Sequence, residues 1–275
     1  MKNRRSFITG LKSTKLTNKE KKFLLKYKPW GVILFSRNIK SIDQVIKMTN
    51  EIKSIFNDKK YPILIDQEGG NVSRLEKFII TSPFSAFFFG TLYKKNFSKF
   101  KLYFKIFVKF SSLFLNKIGV NINTTPVLDV RYRYSSKVIN KRSFGSNIDI
   151  ISKIGDFCIS EFHKNNIGSV IKHIPGHGLA RVDSHNYTPI VKKKLNFLLK
   201  NDFKCFKNKK SLFAMTAHVI YEDIDKLFTA THSKKVIKVI RNEIKFKNLI
   251  ITDDISMKSL KFSIKHSTIK SFSAG

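Results

Sequence analysis

Short apolar runs recur along the chain, and nearly every one stops on a charged or hydrogen-bonding side chain. Gly31-Val32-Ile33-Leu34-Phe35 ends in Ser36-Arg37-Asn38, and Tyr61-Pro62-Ile63-Leu64-Ile65 ends in Asp66-Gln67-Glu68. The stretch 120–128 runs into Asp129, 168–171 into Lys172-His173, 212–217 into His218, and 249–252 into Asp253-Asp254. Apolar runs of this length read as strands buried on both faces, as in a parallel sheet. Helical patterns separate them. Thr17 and Glu20 form a capping box for a helix to Tyr27, and Pro29 marks its end. Ser41 and Gln44 open a second helix, and others are expected over 84–117, 150–165, 195–207 and 233–246. This βαβα alternation predicts an α/β fold, either a doubly wound sheet or a (β/α)8 TIM-like barrel. The polar strand ends favour the barrel, where they converge on one face. In an open sheet, strands far from the switch point need no such residues. No dinucleotide-binding glycine loop, P-loop, repeat or linker interrupts the pattern, so 1–275 reads as a single domain.

The formal net charge of +34 would ordinarily suggest nucleic acid or anionic membrane. The excess is lysine, spread over the whole length and accompanied by many Ile, Asn and 26 Phe, a bias that AT-rich codons alone would produce. No basic stretch interleaves with aromatics as an RNA-binding sheet requires. The two cysteines, Cys158 and Cys205, have no metal spacing and read as reduced packing or near-surface residues. Met1–Lys22 lacks the apolar core of a signal peptide. The apolar region 84–115 is too rich in lysine for a membrane span. Lys101, Lys105 and Lys109 form one helical stripe, with Tyr103, Phe107, Phe110 and Phe114 opposite. That pattern reads as an outer helix packed on a core, in preference to a helix lying on a membrane. A soluble, cytoplasmic, monomeric protein is the expectation.

The densest chemistry lies in Lys172-His173-Ile174-Pro175-Gly176-His177-Gly178 followed by Asp183-Ser184-His185. Imidazoles supply proton transfer near neutral pH, and Asp183 can orient one of them. Asp253 should face the mouth of a barrel. Asp254, its neighbour, should point away into a cap or turn. Asp66 with Arg74 suits the paired hydroxyls of a sugar, or a plain ion pair. Arg142 is a weak signal alone, Lys172 and His173 stronger ones.

Together these motifs resemble the bacterial β-N-acetylglucosaminidases (β-hexosaminidases) of glycoside hydrolase family 3 that act in peptidoglycan recycling. The resemblance runs essentially end to end: 31–38, 65–70, 126–129, 142–145, 172–178 with 183–185, 217–221 and 252–257. It implies a retaining glycosidase with Asp253 as nucleophile, His185 as general acid/base and Asp183 as its partner. Asp66, Arg74, Arg142, Lys172 and His173 would bind a terminal N-acetylglucosamine. No metal and no organic cofactor are implied. Asn71 replaces an arginine usual in the family, and Thr229 a proline. Family members also continue past the segment like Ser271–Gly275 into a further strand, so the barrel is expected to be truncated before the eighth strand, with two apolar edges unpaired. Two other readings stay open: a phosphorylase on the same site, since a histidine acid does not repel phosphate, and an inactive basic protein that binds polyanions.

Overall fold

The computed structural model describes residues 3–275. In chain order the strands are β1 (Arg5–Gly10), β2 (Pro29–Leu34), β3 (Ile63–Ile65), β4 (Ile122–Asn123), β5 (Gly168–Ile174), β6 (Ile190–Val191), β7 (Phe213–Thr216), β8 (Ile220–Tyr221) and β9 (Leu249–Thr252). The helices are α1 (Asn18–Tyr27), α2 (Ile42–Ile55), α3 (Ala86–Lys95), α4 (Phe97–Lys117), α5 (Ile148–Lys164), α6 (Leu195–Lys200), α7 (Lys234–Asn242) and α8 (Ile264–Ala274). One all-parallel sheet runs in the order β1-β2-β3-β4-β5-β7-β9, and β6 pairs with β8 in a small parallel pair of its own.

The sheet is curled into most of a barrel. Trp30 on β2 and Phe213 on β7 have ring centroids 5.3 Å apart. Four strand spacings separate them in the sheet order, and a flat sheet would hold them roughly 19 Å apart at about 4.8 Å per strand. Side-chain alternation explains the two cores. Leu64, Ile122, Val170, Phe213 and Met215 fill the inside, with Ile8, Trp30, Ile33 and Ile251 packed against them. The alternate residues, including Ile63, Ile65, Ile171 and Ala214, face outward into the larger core beneath the helices. β1 and β9 are the two edges of this sheet.

The capping box of α1 is present, with Thr17 and Glu20 bonded reciprocally and Lys28 in the left-handed conformation just before the strand that Pro29 opens. Four expectations need correction. The helix read over 84–117 is two helices. Asn96 is extended, and its side chain accepts the Lys99 N–H at 2.9 Å, so it ends α3 and caps α4. The face of α4 that packs inward is Phe100, Phe104, Val108, Ser111 and Leu115, whereas Tyr103 and Phe110 are exposed. The stretch 195–207 holds only the short α6 and a 3-10 turn at 202–206. Finally, β1 lies in a segment that read as merely basic, because its inward residues are too few to form a run. Cys158 and Cys205 are both buried.

Candidate active site

Strand ends deliver the charged groups. β3 stops at Ile65, so Asp66 and Glu68, two apart, turn to the same side. Gln67 turns the other way, and its side-chain carbonyl accepts the backbone N–H groups of Arg74 and Leu75 at 2.9 and 3.1 Å, fixing the loop that carries Arg74. On β5, the buried Lys172 ammonium sits 3.1 Å from Asp66 Oδ1, 2.7 Å from Glu68 Oε1 and 3.0 Å from Thr124 Oγ1. Arg142 forks onto Glu68, Nε and Nη2 each donating at 2.8 Å. Arg74 Nη2 lies 3.1 Å from Asp66, which also bonds the Thr124 hydroxyl. Three cations thus hold two carboxylates, which is what makes burying them tolerable. Burial pushes the Asp66 carboxyl up, but Lys172, Thr124 and Arg74 outweigh it and hold it well below the usual carboxylate range. The same contest at Glu68, with Arg142 and Lys172 against burial, brings its pKa down to about 2. Burial would lower Lys172, yet Glu68 and Asp66 keep it above its ordinary value.

His173 links this cluster to Asp253. Its Nδ1 is 2.7 Å from Asp129 Oδ2, and its Nε2 is 4.0 Å from Asp253 Oδ2. An ionised Asp129 can only accept, so Nδ1 carries the proton. Asp129 also accepts the backbone N–H of His177 at 2.6 Å; burial raises this carboxyl, and His173 and His177 more than offset it. Asp253 follows β9, partly open to solvent, with the Asp254 N–H donating to its Oδ1 at 2.8 Å. Burial raises its carboxyl too, but His173, His218, the Asp254 N–H and Lys172 bring it below the usual value. Asp254 points away, accepting the N–H and hydroxyl of Ser256 at 2.8 and 2.6 Å. The buried His218, at the end of β7, donates from Nε2 to the Asp254 carbonyl at 3.0 Å, and its Nδ1 meets the Thr231 hydroxyl at 2.7 Å. That tautomer steadies the turn on which Asp253 rides.

The histidine-rich loop leaves the end of β5. A Cβ on Gly178 would lie 2.1 Å from the Val130 carbonyl, and one on Gly176 2.8 Å from Asp202 Cβ, so only glycine lets the loop lie this close. His177 is buried, with Nε2 3.0 Å from Ser184 Oγ, and burial lowers its pKa to about 4 despite Asp129. His185 is exposed. Asp183 Oδ1 accepts both its backbone N–H at 2.8 Å and its Nδ1–H at 2.7 Å, leaving Nε2 outward. Further on, the Thr188 hydroxyl donates to the Ser259 carbonyl at 2.6 Å, and β6 pairs with β8.

Of the residues singled out from sequence, Asp66, Arg74, Arg142, Lys172, His173, His185 and Asp253 line one cavity of about 320 Å³. Asp183 stands behind His185. Four partners were not singled out: Glu68, Asp129, Thr124 and His218. Glu68 had a usable signal, since it lies two residues beyond Asp66 on the same side. Asp129 and His218 ended predicted strands, but nothing in the sequence said which side chain each would meet. Among the described residues no cluster of His, Cys, Asp or Glu could hold a metal ion.

The profile of the glycosyl hydrolase family 3 N-terminal domain matches residues 6–275. Beta-hexosaminidase of Hydrogenovibrio crunogenus is 32% identical over 253 residues, covering 91% of this chain and 70% of that protein. Beta-hexosaminidase A of Pseudoalteromonas piscicida is 30% identical over 272 residues, covering 91% of this chain but 45% of its own length. The chain therefore spans less than half of one relative and about two thirds or more of the other. Native NagZ from Neisseria gonorrhoeae superposes with a TM-score of 0.90 at 29% identity, over 99% of this chain and 79% of its own.

Proposed function

The chain belongs to glycosyl hydrolase family 3, and from that premise we propose that it is a retaining exo-β-N-acetylglucosaminidase acting on cell-wall fragments. The substrate would be a terminal N-acetylglucosamine on anhydro-N-acetylmuramic acid peptides, met in the cytoplasm, with 1–275 working as one domain and one copy. The observation that carries the reading is the shared cavity. A carboxylate, Asp253, and a solvent-facing imidazole, His185, line the same space over a floor of fixed charges.

In the first step an Asp253 oxygen attacks the anomeric carbon. His185, protonated on both nitrogens, gives its Nε2 proton to the glycosidic oxygen, and the aglycone departs as an alcohol. A glycosyl ester on Asp253 remains. In the second step neutral His185 takes a proton from water, whose oxygen attacks the anomeric carbon and releases Asp253 as carboxylate. Asp183 holds the Nδ1–H throughout and stabilises the imidazolium that is present before the first step and re-formed by the second. Burial raises Asp183, but the two His185 N–H groups and the ring's charge outweigh it, so Asp183 is ionised when it is needed. Asp66, Arg74, Arg142, Lys172 and His173 would take the sugar's hydroxyls and acetamido group. Lys172 and Arg142 are already oriented by Glu68, so little side-chain freedom is lost on binding.

The deciding experiment measures nitrophenol release from nitrophenyl N-acetyl-β-D-glucosaminide by this chain beside Asp253→Ala. Release that disappears in the variant supports the proposal. A folded chain that releases none, or an Asp253→Ala variant as active as the parent, overturns it.

A further inference from the structure

Helix α4 presents a second face that its packing does not explain. Its inner side, Phe100, Phe104, Val108 and Leu115, is buried against α3 and α5. On the outer side, Leu102 is 56% exposed, Ile106 55%, Phe110 50% and Leu113 57%, with Tyr103 beside them. These positions recur every three to four residues, so they form one continuous apolar stripe along the helix. Lys101, Lys105 and Lys109 flank one edge of the stripe, while Lys99 and Lys117 close its ends. Every charged residue between Glu76 and Asp129 is a lysine, and among the described residues none of those on α4 forms an ion pair.

We propose that the outer face of α4 is a docking surface for an anionic lipid bilayer, with the helix lying in the interfacial plane. Charge complementarity selects this occupant. An apolar stripe bordered by unpaired lysines matches acyl chains below a layer of negative headgroups. A strand or helix completing the sheet would sit between the edges β1 and β9. By contrast, α4 joins β3 to β4, the third and fourth strands of the sheet, and so lies away from both edges. No helix among the described residues is long and apolar enough to cross a membrane, so contact is peripheral. The helix is fixed to the barrel by its inner face, so docking needs no unfolding. The ring of Phe107, at the border of the two faces, is 6.1 Å from Phe84, whose carbonyl packs on Gly69 at the cavity wall. The surface is thus continuous with the wall of the site without using any residue placed in its chemistry.

The test is cosedimentation of the 275-residue chain with vesicles of phosphatidylcholine alone and of phosphatidylcholine with phosphatidylglycerol. Binding is expected only to the anionic vesicles, weakening as salt rises. A triple variant, Leu102→Ser with Ile106→Ser and Leu113→Ser, keeps the net charge and should lose about tenfold or more in binding. Exchanging Lys101, Lys105 and Lys109 for Gln should weaken binding more than the same exchange at Lys234, Lys235 and Lys238 on α7. A Tyr103→Trp reporter should shift its emission to the blue on anionic vesicles. Circular dichroism confirms that each variant is folded. Unchanged binding by the serine variant would assign adhesion to diffuse charge and overturn the proposal. So would absence of binding by the parent chain. A concentration-dependent oligomer that the serine variant abolishes would show instead that α4 meets a second copy, which also overturns it.

Discussion

Glu68 shows what a single side chain contributes at the site. It is buried and held by Arg142 and Lys172, so removing its charge leaves two cations with too few acceptors. Glu68→Gln should cost about 3–5 kcal/mol of stability, the usual penalty for breaking a buried pair, measured by urea unfolding; a loss below about 1 kcal/mol would mean the cations find water instead. Asp202 is the opposite case. It is buried below the histidine-rich loop, and Tyr132 Oη donates to its Oδ2 at 2.7 Å. Burial and the nearby Asp129 charge raise its pKa to about 7, against the bond from Tyr132. A carboxyl raised in the folded state favours folding while it is protonated. That contribution is complete below its unfolded value near 4 and is lost as pH rises through about 7. Asp202→Asn should therefore raise the melting temperature at pH 8 more than at pH 5. Equal shifts at both values would show that Asp202 does not titrate there. Retention is a third claim at this scale. If Asp253 is the nucleophile, proton NMR will show the β-anomer of N-acetylglucosamine first, and the α-anomer appearing first would sink the double-displacement reading.

Among the elements, the loop after β5 carries the tightest geometric demand. Gly178 approaches the Val130 backbone so closely that a methyl group has no room. Gly178→Ala should abolish turnover through displacement of Asp183 and His185 while leaving far-UV dichroism nearly unchanged; wild-type turnover would show that the loop yields without consequence. The break between α3 and α4 is also an element-scale decision. The sequence 84–117 is apolar and lysine-rich throughout, with no Pro to stop a helix. Asn96 ends it because an amide side chain can serve the next helix's free N–H groups, and that gain competes with continuing the ladder. The wrong face assigned to α4 has a related cause. With aromatic or aliphatic residues on nearly every side of the helix, only its neighbours determine which side is covered.

At the scale of the whole molecule, the sheet has unequal support. β3 is buried along its whole length, whereas β9, among the described residues, is an edge strand paired with β7 and exposes Leu249. Hydrogen exchange should therefore release β9 amides well before those of β3 and β5; equal protection across the sheet would contradict this. Much of the molecule was legible in order of sequence. Apolar runs of strand length, punctuated by caps such as Thr17 and Ser41, announced a parallel α/β architecture, and polar residues at the run ends announced where a site would form. This works because burial on two faces and the start of a helix are local requirements written in residue type. What chain order could not specify is partnership across the barrel: Lys172 between Asp66 and Glu68, His173 between Asp129 and Asp253, Trp30 against Phe213. Those contacts join residues far apart in the chain, and they exist only because the sheet curls. The sequence by itself determined which side chains would reach the rim. Curvature and packing decided which of them meet, and hence which charges are shared, which histidine faces solvent, and which side of α4 is left bare.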